Sequence, residues 1–234
     1  MVTDPGQDLS GQGFAERAAR LAAENARLRE VVAATQHRVR NTLAVIRSIA
    51  RRSAEASESV EDYAMHLDGR IGAFARVQGA LLRDPGEGMA LDTLVADTLL
   101  TALAREGERW TVDGPAVTLR AKAAEMLGLA LHELATNAVK FGALSWPRGR
   151  IAVTWRLVEG GQPRLAVSWA EMGAPAPVSA ERRGFGIEMI ERTLAYELGA
   201  EARLDFTPEG VICRIGLPLS AVRPPAPGDP PSEA

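Results

Sequence analysis

The chain has 234 residues and 25.0 kDa, 46% hydrophobic and 24% charged, so it can bury a core and wholesale disorder is excluded. Its 27 Lys+Arg against 30 Asp+Glu leave a net charge of −3 and a pI near 5.7, which argues against a nucleic-acid binder working by bulk charge. The lone cysteine, Cys213, sits in an alternating apolar run and excludes a disulfide scaffold; no apolar stretch reaches the ~20 residues of a membrane span, and the polar start is unlike a secretory signal. A soluble cytoplasmic protein without nucleic-acid or membrane partners is expected.

Residues 1–13 are polar and expected to be disordered. From Phe14 the positions Ala18, Leu21, Asn25, Leu28, Val32, Thr35, Val39, Thr42, Ile46 and Ile49 repeat at intervals of four and three, the signature of a helix with a seam for a partner helix. Leu21 and Leu28 at d place Asn25 at a, where a buried amide pairs with its own copy and favours a parallel homodimer. Glu24 would then face Arg29 of the other chain. Such a pair contributes only ~0.3 kcal/mol against ~2 kcal/mol for a buried Leu, so the leucines supply the stability. The alternative is a helix packed on its own domain.

Ser53 to Ser59 suits a turn, and a second repeat follows at Val60, Ala64, Leu67, Ile71, Phe74, Gln78 and Leu81. The two helices predict a hairpin over residues 14–84, and two copies would bury both stripes as a four-helix bundle. Gly69, Gly72 and Gly79 either weaken the second helix or permit close packing.

The Asp84-Pro85-Gly86-Glu87-Gly88 segment breaks the pattern, and a second domain is expected over residues 89–219. Leu91 to Leu103 reads as a helix, Arg109 to Val112 and Ala116 to Leu119 as short strands, and Ala121 to Phe141 as a long helix burying Leu127, Leu131, Leu134 and Ala138. Period-two runs at Ile151–Leu157 and Leu165–Trp169 predict a hairpin; Gly184 to Leu198 reads as helical, and Ala202–Phe206 and Val211–Leu217 as another strand pair. The fold class is α+β, an N-terminal helical hairpin followed by an α/β sandwich with helices on one face of one sheet. The Pro-rich residues 220–234 read as a disordered tail.

Four segments carry chemistry. His37 falls at heptad position f, facing away from the seam, with Arg38 and Arg40 nearby and Asn41 one turn on; a neutral imidazole flanked by guanidinium groups suits an arriving phosphoryl group, although it is also ordinary surface. Glu133, Asn137 and Lys140, spaced four and three, place a carboxylate, an amide and an ammonium on one helix face. That set suits a Mg²⁺-bound polyphosphate, or a solvated helix with a chance pair. Trp169-Ala170-Glu171-Met172-Gly173 leaves a strand, and Gly184-Phe185-Gly186 opens a helix where backbone N–H groups can meet a phosphate.

In this order the four segments closely resemble the HWE-type sensor histidine kinases, two-component kinases with a Bergerat-type ATP-binding domain. The Gln36-His37-Arg38-Val39-Arg40-Asn41-Thr42-Leu43 segment is similar to that family's phosphoacceptor box and His132 to Ala138 to its asparagine box, and the family's three letters correspond to His132, Trp169 and Glu171. The resemblance runs from about Gln36 to Leu219. It implies that His37 is the phosphorylated residue, Asn137 the Mg²⁺ ligand, Glu133 its carboxylate neighbour at the catalytic centre and Lys140 a phosphate contact. It also implies that Glu171 bonds the adenine amine, and that Gly173, Gly184, Phe185 and Gly186 shape the ATP pocket and its lid. His132 either orients the pocket or is a packed structural histidine, and His66 reads as plain surface. Ala174 departs from the family pattern, standing where a second glycine is common.

The implied activity is autophosphorylation of His37 from Mg·ATP and transfer to an aspartate on a response-regulator receiver domain. The segment before His37 is too short for a sensor domain of ~100 residues, so input is expected from a separate sensor protein unless this is a separated core. Two alternatives share the fold: a phosphotransfer or scaffold module that does not use ATP, and an ATP-gated dimerisation protein. The first is disfavoured because Asn137 and the glycines are retained, the second because it leaves His37 and its arginines without a role.

Overall fold

The structure is a computed structural model that describes residues 8–83, 87–102, 109–160, 163–173, 186, 189–208 and 210–222. Residues up to Arg51 form one unit and those from Arg52 onward another. The first consists of a single element, helix α1 (Asp8–Ala56), whose last turn passes into the second unit. It begins six residues before Phe14, so residues 8–13 are helical rather than disordered. Phe14, Leu21, Leu28, Val32 and Val39 of the predicted seam are all exposed.

Ser57 closes the end of α1 with its hydroxyl on the Ser53 carbonyl at 2.7 Å, which places the turn at Ser57–Ser59. Ser59 then caps helix α2 (Val60–Arg83): its hydroxyl accepts the Asp62 N–H at 3.0 Å, and Glu61 and Asp62 add negative charge in the first turn. The buried stripe of α2 is Arg70, Ala73, Phe74, Val77 and Leu81, offset from the predicted repeat; Val60 and Ala64 are exposed. The offset arises because α2 packs on helix α4 (Ala121–Lys140), and it belongs with the α/β unit rather than with the bundle alone.

Strand β1 (Met89–Ala90) leads into helix α3 (Leu91–Ala102), followed by β2 (Trp110–Asp113) and β3 (Thr118–Leu119). β1 and β3 pair with each other as a small antiparallel sheet, apart from the main one. The main sheet also contains β4 (Arg150–Val158), β5 (Arg164–Met172), β6 (Glu201–Thr207) and β7 (Gly210–Pro218), in the order β2-β4-β5-β7-β6. Among the described residues, the β2–β4 pairing of this sheet is parallel and the others are antiparallel.

Register explains why one face of this sheet is the core. Val153 pairs with Trp169, Trp169 with Cys213 and Cys213 with Leu204, while Trp155, Val167 and Ile215 form the next row. Period-two alternation turns these rows inward, where all but the half-buried Leu204 are buried. Leu94, Leu99, Leu127, Leu131, Leu134 and Leu194 from the helices are also fully or almost fully buried. The expected α+β sandwich is therefore the observed architecture. Cys213 is fully buried, and burial pushes its thiol up to about 12, consistent with an inert core side chain.

Within the region read as helical from Gly184 to Leu198, the described residues are helical: Gly186, a π-helical turn at Met189–Thr193 and α5 (Leu194–Leu198). The chain beyond β7 is ordered further than expected: Leu219–Ala221 forms a 3-10 turn, the Ala221 carbonyl accepts the Arg120 N–H at 2.9 Å, and Val222 bridges to Leu119. Residues 223–234, residues 1–7, Gly184 and Phe185 lie outside the described residues.

Candidate functional site

Helix α4 carries two opposed stripes. Leu127, Leu131, Leu134 and Ala138 are buried, and Glu133, Asn137 and Lys140 follow one another along a different face. Glu133 is not solvated: it is 6% exposed and forms a bidentate pair with Arg70 of α2, from Nε to Oε1 at 2.8 Å and from Nη2 to Oε2 at 3.1 Å. Arg70, 3% exposed, also donates from Nη1 to the hydroxyl of the fully buried Ser53 at 2.7 Å. The fork satisfies both carboxylate oxygens, and removing either partner of such a buried pair costs about 3–5 kcal/mol.

Lys140 is tied to the same helix. Its Nζ lies 2.8 Å from Nε2 of His66, while Nδ1 of His66 lies 3.4 Å from the Asp62 carboxylate one turn back. An ammonium has no acceptor, so His66 Nε2 receives this bond as a neutral ring with its proton on Nδ1, towards Asp62. Burial, followed by the Lys140 charge, lowers the His66 pKa. His66 is thus a partner of the α4 face and not the plain surface the sequence suggested.

His132 lies beside the pair. A Cβ on Gly69 would stand 3.1 Å from its Nε2, so the missing side chain lets α2 approach the ring, and His132 packs in the helix interface. Burial lowers its pKa, opposed by Glu133 and reinforced by Arg76 and Arg70. Both histidines sit below 6.5 in the folded protein, so the unfolded chain binds more protons in that window. Their neutral forms support the fold above pH 6.5, and that support is lost as pH falls through 6.5 towards the folded values. Glu171, raised above 4.5, contributes in the opposite sense. Urea midpoints measured from about pH 7.5 to about pH 5.5 should fall, and His132→Gln should reduce the slope; an unchanged slope in the variant would contradict the assignment.

Glu171 ends the inner row of β5. It is 4% exposed and accepts two hydrogen bonds, from the Ala143 N–H to Oε2 at 2.8 Å and from the Trp169 indole to Oε1 at 3.2 Å. Burial raises its pKa while these two donors pull it down. Trp169, two residues earlier on the same strand face, is the buried group that orients the carboxylate. Gly142 makes the approach possible, because a Cβ there would fall 2.0 Å from Glu171 Oε2. The Gly142 N–H in turn bonds the Asn137 carbonyl at 3.0 Å, which sets Glu171 at the C-terminal end of α4.

The predicted glycines divide. Gly173 has φ +79 and lies against the Arg148 carbonyl, shaping the strand exit. Gly186 lies against the α4 face itself: a Cβ there would be 3.1 Å from Asn137 Nδ2 and 3.2 Å from Glu133 Oε2. Glu133, Asn137 and Gly186 therefore come together, Lys140 follows further along α4, and Glu171 adjoins the helix end.

His37 belongs to the other unit, on α1, where it is exposed, with Asn41 Nδ2 3.4 Å from its Nδ1. Among the described residues no group of three or more His, Cys, Asp or Glu is arranged to hold a metal alone. Glu133 and Asn137 carry hard oxygens of the kind Mg²⁺ takes from one or two side chains, completing its shell with water and substrate phosphate, but both Glu133 oxygens are held by Arg70 here. No helix among the described residues is long and apolar enough to cross a membrane.

Arg70, His66 and Ser53 were not singled out as site residues by sequence. The available signal was the i, i+4, i+8 alignment of Asp62, His66 and Arg70 on the edge of the α2 stripe.

Comparison with known proteins adds family to geometry. Residues 34–116 match the family model for HWE histidine kinase. The chain is 35% identical over 197 residues to blue-light-activated histidine kinase 1 of Erythrobacter litoralis, covering 82% of this chain and 53% of that protein. It is 30% identical over 186 residues to the blue-light-activated histidine kinase of Brucella anthropi, covering 79% and 38%. The chain thus spans about half the length, or less, of these curated relatives. A solved structure of the Erythrobacter litoralis blue-light-activated histidine kinase shares the fold, with a TM-score of 0.54 at 23% identity, over 79% of this chain and 57% of that one. On this family match and these relatives, the chain belongs to the HWE-type histidine kinases.

Proposed function

We propose that the protein is an ATP-dependent autokinase that phosphorylates His37 and passes the group to an aspartate of a response-regulator receiver domain. The observation that carries this reading is the convergence of Glu133, Asn137 and Gly186 on one face of α4, with Lys140 along it and Glu171 at its end. Asn137 and Glu133 would hold Mg²⁺, which neutralises phosphate charge during transfer. Lys140 contacts phosphate as a point charge, and the Glu171 carboxylate accepts from the adenine amine.

In the transfer, an imidazole nitrogen of His37 forms the N–P bond and the bond from the γ-phosphorus to the β-phosphate oxygen breaks. ADP leaves with the electron pair, and the ring's surplus proton passes to solvent. The contribution of the chain is mainly positioning and electrostatic stabilisation. The exposed α1 seam supports a homodimer, since Leu21, Leu28 and Val32 carry apolar surface that a second copy would bury around Asn25; a monomeric sedimentation mass would contradict it.

The test is incubation with γ-labelled ATP and Mg²⁺, followed by addition of an isolated receiver domain. The proposal expects label on the chain and then on the receiver. Saturating nucleotide binding with no label on the chain would leave the ATP-gated dimerisation reading in its place, and no nucleotide binding at all would leave the non-ATP phosphotransfer reading.

A further inference from the structure

Helices α2 and α4 run antiparallel and touch along their length. Gln78 donates to Glu125 at 2.7 Å near the start of α4, Gly69 lies on His132, Arg70 grips Glu133, and His66 meets Lys140 at its last turn. The apolar part of the contact, Ala73, Phe74 and Val77, needs no polar partner. Yet α2 places a polar group on both charged residues of the α4 face assigned to nucleotide.

The kind of group at each position is informative. Against the Glu133 carboxylate α2 sets a cation, the place the proposed function gives to a metal ion. Against the Lys140 ammonium it sets a lone pair, His66 Nε2, backed by the anionic Asp62, the place given to a phosphate oxygen. The order along α4, cation at residue 133 and acceptor at residue 140, is that of a metal-bound polyphosphate. Both contacts are close: the Arg70 fork occupies both Glu133 oxygens, and His66 takes the Lys140 ammonium at 2.8 Å. A metal-bound polyphosphate, with its metal on Glu133 and a phosphate oxygen on Lys140, and this strip cannot both have those atoms in the same geometry.

We propose that the α2 strip Asp62–His66–Arg70 is a built-in competitor of Mg·ATP, occupying Glu133 and Lys140 until the nucleotide displaces it. This rests on the nucleotide-site reading and adds to it a closed state in which the kinase face is masked by its own helix. Ser53, in the last turn of α1, holds Arg70 from the other side, so a change at the α1–α2 turn acts directly on the latch. Apparent affinity is the intrinsic affinity reduced by the open fraction.

The test measures Mg·ATP and adenosine binding to the full chain by calorimetry for wild type, His66→Ala, Asp62→Asn combined with His66→Ala, and Arg70→Gln. His66→Ala frees Lys140 without stranding a buried charge, so it carries the test even if Arg70→Gln fails to fold. Mg·ATP should bind about three- to tenfold more tightly to the His66 variants, the factor for a latch closed two-thirds to nine-tenths of the time, with adenosine unchanged. In wild type, saturating Mg·ATP should also speed amide hydrogen exchange along residues 62–74. Unchanged or weaker Mg·ATP binding in folded His66→Ala, or greater protection of α2 with nucleotide, would overturn the competition while leaving the nucleotide site intact. Absence of Mg·ATP binding in every protein would sink the site reading and the latch together.

Discussion

The His37→Ala protein, incubated with γ-labelled ATP and Mg²⁺, should take up no label while binding nucleotide as wild type does. The ring is exposed on α1, in a unit separate from the one that holds Glu133, Asn137 and Glu171, so its truncation removes the acceptor without touching the pocket. An exposed substitution of this kind shifts stability by no more than ~0.5 kcal/mol, and folding is therefore not the cause of the lost label. Label retained in the variant would place the acceptor elsewhere.

Asn137→Ala should do the reverse. The side-chain amide lies against Gly186 beside Glu133, whereas the residue's backbone carbonyl accepts from Phe141 and Gly142 and so preserves the end of α4 in the variant. Loss of one hard ligand from a site that offers few should weaken Mg·ATP binding on the order of 100-fold, within or beyond the usual range for a ligand or its support. The measurement is calorimetric titration with and without Mg²⁺. Undiminished Mg²⁺-dependent binding would remove Asn137 from the site.

How far these residues could be read from sequence depended on range. The strand pairs β4–β5 and β6–β7 announce themselves because alternation and a polar turn are local, and the α4 stripe because leucines recur at helical spacing. The β1–β3 pairing was missed because two-residue strands have no period to detect, and their partners lie about thirty residues apart. The packed face of α2 was read one position away from the observed one. Phe74 and Leu81 belong to both, and the location of α4 turns Arg70 and Val77 inward in place of Ile71 and Gln78.

The Arg70–Glu133 pair shows the same limit at the site. A charged residue on an amphipathic helix reads as solvated, and only a partner 63 residues distant makes it a buried one. That Glu133, Asn137 and Lys140 share one helix face was legible because residue type and spacing agreed, and Glu171 because it ends an alternating strand. What already occupies Glu133 and Lys140 was not, since this is a property of α2 and α4 together.

The most direct measurement of the central claim is mapping the phosphoryl group after labelling wild type with Mg·ATP. The account predicts an acid-labile, base-stable phosphate on the peptide containing His37, appearing only when Mg²⁺ is present. Acid-stable phosphate on serine or threonine, or an unlabelled His37 peptide from protein saturated with Mg·ATP, would contradict it.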